Sequence, residues 1–502
     1  MRILYIDCDT LRPDHLGCYG YHRNTSPHID RIAAQGMRFT NYYASDAPCM
    51  PSRAALSSGR FGIHTGVVNH GGVCGDMRLE GPQRGFQASR ERLPFPSRLL
   101  EAGLRTALVS SFSYRHGAWW FYEGFMDIFN NNIGGMERAE VITPPALEWL
   151  DRRGQEENWY LHVNYWDPHT PYRTPDPPGN RFASDPPPAW YTEELRRKHW
   201  ESYGPHSARE TCGYTNAITD FTARYPDVPR EIASLDDYKR WIDGYDTGIR
   251  YMDDHVGQIL DKLADLGILD ETVIIVSADH GENQGELNVY GDHQTADYLT
   301  SRVPLIVRWP GVTPAASVYE GLQYNLDLGA TLVEMSGGDA SPAWEGQSFA
   351  AALRGEAHDG RPYLVVSQCA WSCQRGVRWD KWMLIRTYHA GLKDFPDVML
   401  FDIENDPHEL VDLAKTHRAV VQEGLALLEN WSTEMMRSSG HPEDPLWRVI
   451  REGGPLHTRD CLEEYCARLR ASGRAEHAQT LEKRAARSSA AGNPFSGRSS
   501  DP

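Results

Sequence analysis

The sequence predicts an α/β fold whose chemistry-bearing residues gather at the carboxyl ends of strands. Three observations carry that expectation. The apolar run Arg2-Ile3-Leu4-Tyr5-Ile6 stops at Asp7-Cys8-Asp9. The alternating run Trp159 to Tyr165 stops at Asp167-Pro168-His169. The run Glu271 to Val276 has the continuous apolar character of a buried strand and stops at Ser277-Ala278-Asp279-His280. Between the last two, Tyr245, Ile249, Met252, Val256, Ile259 and Leu263 recur at helical spacing, which predicts a helix over 234–266.

Composition bounds the reading. A chain of 502 residues can bury a large core and suggests more than one structural unit. A net charge of −18 argues against a general binder of nucleic acid or membrane surfaces, which carries basic patches. No apolar run reaches the length of a membrane span. Met1 to Ile6 runs into Asp7 without the apolar core of a signal peptide, so the expected location is cytoplasmic. The nine cysteines are odd in number and scattered, and they read as free thiols.

Residues two apart in a strand share a face, so Asp7 and Asp9 can converge on one point. Two converging carboxylates need a cation, and hard oxygen ligands suit Ca²⁺, Mg²⁺ or Mn²⁺. Ser26-Pro27 opens a capped helix. Cys49-Met50-Pro51-Ser52-Arg53 follows Pro48 and leads into a small-residue helical run. That places a Cys at a helix N-terminus, where free N–H groups and the dipole favour anions, with Arg53 adding a positive fork. Residues 61–92 have no period and read as an active-site loop.

Further along, Phe95 to Gly103 reads as a helix and Arg105 to Ser110 as a strand. Arg115 and His116 follow. Pro168 and Pro171 hold His169 in an extended turn, aimed into the crevice where open α/β sheets bind ligands. Residues 173–235, rich in Pro and aromatics, read as a long insertion. After Asp279-His280 come Gly291-Asp292-His293 and the strand-like Arg302 to Gly311. Composition turns polar near Gly355 to Pro362, giving expected units of 1–355, 356–445 and 446–502. Within the second, Tyr363 to Val366 and Arg375 to Ile385 read as a hairpin and 415–437 as a helix. Residues 456–486 read as a charged helical tail, with the last 15 or so disordered.

Several of these strings together resemble the type I sulfatase family. Cys49 to Arg60 matches its signature C-x-P-S-R-x-x-x-x-x-G-R. Asp9 to Gly20 is similar to D-D-x-R-x-D-x-L-G-x-Y-G, with Thr10 in place of the second Asp. His169 to Tyr172 resembles H-x-P-Y, and Ser277 to Glu282 resembles S-D-H-G-E. Arg302 to Gly311 looks like R-V-P-L-I-x-x-W-P-G, and Leu400 to Glu409 like L-Y-D-L-x-x-D-P-x-E.

The resemblance runs from about Arg2 to Leu413 and implies an alkaline-phosphatase-like α/β/α sandwich, with a mixed central sheet and a smaller C-terminal α+β domain. It implies a sulfatase in which Cys49 becomes formylglycine, made by a formylglycine-generating enzyme. One divalent cation would sit on Asp9, Asp279 and His280, with Asp7 as a fourth ligand. Ca²⁺ comes first, with Mn²⁺ or Zn²⁺ as alternatives because a His is present. Arg53 and His169 would stabilise the transferring group.

The family's usual G-K-x-H is absent, and Ser111 stands at its Lys, so Arg115 and His116 become candidates for substrate contact. A second usual Lys lies eleven residues before Pro304, where this chain has His293. A His293 that replaces a cation must carry a proton, so the alkaline limb of activity would report its loss. The substrate would be a small-molecule or saccharide sulfate ester. A homo-oligomer is compatible with the sequence. The alternatives are a phosphonate monoester or phosphodiester hydrolase of the same superfamily and, more remotely, a non-catalytic binder of sulfated glycans.

Overall fold

The computed structural model describes residues 1–78, 90–131, 133–173, 180–213, 225 and 227–491. A central sheet is built from β1 (Arg2–Cys8), β2 (Met37–Phe39), β3 (Arg105–Val109), β4 (Asp127–Phe129), β5 (Trp159–Tyr165), β6 (Thr272–Ala278), β7 (Leu305–Arg308) and β8 (Ser317–Tyr319). Their spatial order is β8-β2-β7-β6-β1-β5-β3-β4. β1 runs parallel to both β5 and β6, and β7 is antiparallel to β6, so the sheet is mixed. Every residue of β5 and β6 is buried, as is β1 beyond Arg2. Burial on both faces is what their continuous apolar runs require.

The long helix predicted over 234–266 is present as Leu235–Asp265. The Ser234 hydroxyl caps it by accepting the Asp237 N–H at 3.1 Å. The whole apolar stripe from Tyr245 to Leu263 is buried in the main core. This helix packs against Ala139–Arg153 and Pro27–Ala34.

A second sheet holds β9 (Tyr363–Gln368), β10 (Cys373–Trp379), β11 (Trp382–His389) and β12 (Val398–Asp402), antiparallel in sequence order. The predicted hairpin is its first part. Its remaining strand is Asp46–Ala47, which lies just before Cys49 and pairs parallel with Ser367 and Gln368. The helix Arg418–Ser438 covers this sheet through Leu428 and Trp431. The tail continues as helices Pro445–Arg451, Leu462–Ala471 and Ala475–Ala491. Residues 492–502, where disorder was expected, lie outside the described residues, as do 79–89 of the expected loop and 174–179, 214–224 and 226 of the expected insertion. No described helix is long and apolar enough to cross a membrane. All nine cysteines are free thiols.

One buried amide ties the two sheets to the helix that starts at Cys49. Asn325 Nδ2 donates to the Ser52 carbonyl at 3.1 Å and to the Ser52 hydroxyl at 3.0 Å. Its Oδ1 accepts the Ser45 N–H at 3.1 Å. Removing the amide leaves the buried Ser45 N–H without its acceptor and takes a donor from the Ser52 carbonyl and hydroxyl. Asn325→Ala is expected to lower stability by about 1–3 kcal/mol. A urea midpoint that falls with an unchanged slope confirms this, and an unchanged midpoint refutes it.

Candidate active site

The register of the central sheet assembles the site. Asp7 lies opposite Asn164 in β5 and Ser277 in β6, so the three strands end flush. Asp9, His169, Asp279 and His280 therefore leave the sheet on one side, at the carboxyl ends where α/β proteins bind ligands. The helix Cys49–Ser58 begins there, and its Ser52 hydroxyl donates to the Asp279 carbonyl at 2.5 Å. Thr10 has φ 58° and donates its N–H to Asp279 Oδ1 at 3.2 Å. The backbone N–H of Thr10, the residue in place of the family's second Asp, thus braces Asp279.

Cys49 Sγ, Asp9, Asp279 and His280 present ligand atoms all within 4.8 Å of one another. His280 Nδ1 faces the Gly281 carbonyl at 2.8 Å. With a proton on Nδ1, the Nε2 lone pair is free for a metal. That nitrogen lies 3.1 Å from Cys49 Sγ. Gly281 is needed here, because a Cβ would stand 2.0 Å from the Leu299 carbonyl oxygen.

Arg53 is fully buried among the carboxylates. Its Nε reaches Asp7 at 3.1 Å, and its Nη1 reaches Asp9 at 3.0 Å and also Asp279. The sequence reading gave Arg53 to the transferring group, but two of its nitrogens are committed to these carboxylates and only Nη2 has no partner. Its guanidinium lies 4.7 Å from the Phe112 ring centre.

Asp7 also meets His162 Nε2 at 3.2 Å. Although burial works the other way, Arg53 and His162 hold Asp7 below its ordinary range. Burial pushes Asp9 up to about 6, with Asp7 adding to it against the pull of Arg53. Burial also pushes Asp279 up to about 6, with Asp9 adding to it.

This donor set fits a divalent cation. Asp7 Oδ1 and Asp9 Oδ1 are buried with no hydrogen-bond partner, which is costly for carboxylates. Three acidic side chains face one guanidinium, leaving a deficit of two charges. Asp9, Asp279 and His280 would hold the ion. Asp7 lies outside the mutual 4.8 Å group and turns one oxygen to Arg53 and His162, so its bare Oδ1 is what it has to offer.

Cys49 is 2% exposed. Burial pushes its thiol far up, and Asp9 and Asp279 add to the effect. His293 is buried with its ring 4.2 Å from that of His280 and 6.1 Å from that of His169, and its Nδ1 has no partner. Burial, with the adjacent His280 and His169, pushes His293 down, which works against a proton on it in the unliganded protein, while an anionic ester bound beside it would act the other way. His169 Nδ1 faces the Thr170 carbonyl, and burial followed by Arg115 pushes this imidazole down as well.

Arg115 stands at the exposed rim, its guanidinium 5.5 Å from the Trp166 ring centre. Its charge acts on Cys49, Asp9 and His169. His116 stacks on Trp166 and lies 5.2 Å from His70, and its Nε2 has no partner. Ser111 is committed elsewhere, donating to Glu137 and accepting Trp166 Nε1 at 2.8 Å. Sequence reasoning missed His162, which meets Asp7, and His70, which lies beside His116. The first could have been found by alternation within β5. The second belongs to no local pattern.

Comparison with known proteins places this geometry in context. The sulfatase family model matches residues 2–338, and that of the N-sulphoglucosamine sulphohydrolase C-terminal region matches residues 290–429. The choline-sulfatase of Rhizobium meliloti is 24% identical over 460 residues, covering 79% of each chain. A structure described as bound to its substrate, D-glucosamine-2-N,6-O-disulfate, superposes with a TM-score of 0.70 at 20% identity, over 87% of this chain and 98% of that one. The phosphonate monoester hydrolase of Silicibacter pomeroyi gives 0.65 at 20% identity, over 88% and 96%.

The buried imidazoles make the structure sensitive to acid. Burial, followed by Arg115, pushes His116 down to about 3. An unfolded His takes its proton near pH ~6.5, so the stability from a neutral His116 is full above that pH. It is lost progressively as pH falls from ~6.5 to about 3. Thermal midpoints at pH 7.5 and 5 are expected to differ less in His116→Gln than in the parent. Equal drops would exclude this residue as a source of acid sensitivity.

Proposed function

The chain belongs to the sulfatase family and hydrolyses sulfuric esters, and we propose that it does so through a formylglycine made from Cys49, beside one divalent cation on Asp9, Asp279 and His280. The observation that carries the reading is the setting of Cys49: it opens a buried helix, its Sγ lies 3.1 Å from His280 Nε2, and its ligand atom and those of Asp9, Asp279 and His280 lie within 4.8 Å of one another, so a hydroxyl carried at this position would stand among the residues that would hold the ion.

The cation and the formylglycine together would supply an activated hydroxyl at neutral pH. The chain's own residues do the rest. Arg53 fixes the carboxylates and keeps Nη2 for the nucleophile's side of the site. His169 and His293 offer N–H donors to the sulfate oxygens and the departing alcohol oxygen, where negative charge grows. Arg115 draws the anionic substrate to the rim. His280 keeps its proton on Nδ1 and its lone pair toward the reacting centre. Ca²⁺ is the first candidate ion, and Mn²⁺ or Zn²⁺ is compatible with the His ligand. Cys49, Pro51 and Arg53 are the residues a formylglycine-generating enzyme would read, and the substrate is a small-molecule or saccharide sulfate ester.

A hydrolase of phosphonate monoesters is the competing reading, favoured by the fold shared with the Silicibacter enzyme and by the missing lysines. Parallel assays separate the two. Sulfate esters are expected to exceed phosphonate monoesters and phosphodiesters at least tenfold in kcat/KM, and the reverse order would transfer the protein to that activity.

Peptide mass spectrometry of active protein is expected to find an aldehyde at position 49. Quantitative thiol there with full activity would sink the covalent reading. Cys49→Ala should lose activity on the order of 10³-fold or more, as when a nucleophile is removed. Asp279→Ala should lose bound metal, measured by elemental analysis, together with activity. Asp7→Asn with full metal content would make Asp7 a partner of Arg53 only.

A further inference from the structure

Cys49 belongs to two groups of donor atoms, and only one of them contains carboxylates. Its Sγ groups with Asp9, Asp279 and His280, and separately with His280 and His293. In each group all the ligand atoms lie within 4.8 Å of one another. The second group is one sulfur and two imidazole nitrogens, and all three residues are buried.

Each member of this trio is held by its own segment. Cys49 opens the helix Cys49–Ser58. The Gly281 carbonyl holds His280 at Nδ1, which leaves Nε2 3.1 Å from Cys49 Sγ. His293 is braced through its backbone. Its N–H donates to Asp292 Oδ1 at 2.7 Å, and its carbonyl accepts Gln368 Nε2. The His293 ring stands 4.2 Å from that of His280, tilted by 51°, and its Nδ1 is buried without a partner. A buried polar atom with nothing to bond is costly, and a ligand at Nδ1 would relieve that cost.

We infer that, in the chain whose Cys49 keeps its thiol, Cys49, His280 and His293 together hold one Zn²⁺ ion. The inference goes beyond the ester-cleaving reading and stands without it. Thiolate and imidazole are the donors zinc takes in tetrahedral sites, at about 2.3 Å and about 2.0–2.1 Å. A sulfur and a nitrogen on one such ion stand roughly 3.5 Å apart. That is a few tenths of an ångström beyond the 3.1 Å between Cys49 Sγ and His280 Nε2. Calcium takes oxygen ligands, and this trio has none. As the sulfur–zinc bond forms, the thiol proton leaves for solvent. A Lys in place of His293 could not build the site, because an ammonium has no lone pair to give. The trio shares His280 with the carboxylate set, and Nε2 serves one ion at a time, so the two sets compete. Conversion of Cys49 removes the sulfur, and bound zinc therefore marks the chains that keep the thiol.

The test uses the full-length chain made without a formylglycine-generating enzyme, with the thiol at position 49 verified by peptide mass and metals removed. The probes are Zn²⁺ and Co²⁺. Co²⁺ added to the parent protein is expected to give the near-ultraviolet charge-transfer band of a cobalt–thiolate bond, and Zn²⁺ is expected to bleach it. Cys49→Ser should abolish the band. His293→Gln should weaken zinc binding at least ~100-fold, beyond the ~10- to 100-fold cost of losing an outer partner of a metal ligand. Its calcium content, measured without zinc, should match the parent's. Cobalt bound to the parent without the band would overturn the site, and so would unchanged zinc affinity in His293→Gln. Zinc lost in Asp279→Ala but kept in Cys49→Ser and His293→Gln would put the ion on the carboxylates and equally overturn it. None of these results bears on whether converted protein cleaves sulfate esters.

Discussion

Three carboxylates buried around one guanidinium set the terms for everything near the catalytic face. Asp7, Asp9 and Asp279 come from two adjacent strand ends, and Arg53 reaches them from the first turns of a helix. A buried cluster of this kind gains from its mutual attraction only if geometry and hydrogen bonding are complete. Here they are incomplete, since Asp7 and Asp9 each keep a bare oxygen. A divalent ion held here would therefore act on folding as well as chemistry, because an ion that binds only the folded state stabilises it. The flush strand ends and the Asn325 brace are the mechanical counterpart of this electrostatic demand.

The opposite side of the site follows a different rule. Where many relatives place lysines, this chain has a serine tied to Glu137 and a buried histidine packed against two other imidazoles. In the proposed reading, negative charge on a bound ester would be met by N–H donors within the site, with Arg115 as a cation at the rim. Donors fixed before the reaction stabilise developing charge without reorganising, which is the main requirement of such a site. The arrangement trades long-range attraction for direction, and it makes the imidazole geometry more exacting than a lysine would.

Much of this was legible in the sequence because the chemistry is local. Asp9, Cys49, Asp279 and His280 each sit at the end of a strand or the start of a helix, and short motifs declare such places. The long helix and the second sheet were legible from periodicity. Arg53 was found, but its ion pairs with Asp7, Asp9 and Asp279 were not legible, since nothing in a linear string shows where its fork turns. His293 was singled out by register, and the rings of His280 and His169 that pack against it come from other segments. His70, Trp371 and His457 were invisible for a stronger reason. His70 lies about 300 residues before Trp371 and His457 about 90 after it, and they meet because the tail folds back onto the turn after β9.

The short strand Asp46–Ala47 has a consequence in time. Its partner in the second sheet, Ser367–Gln368, is made about 320 residues later. At about 5–20 residues per second, a ribosome needs tens of seconds to cover that distance. Throughout that interval the turn leading into Cys49 lacks the ladder that will fix it. The backbone entering the Cys49 helix is thus completed only after most of the chain has been made.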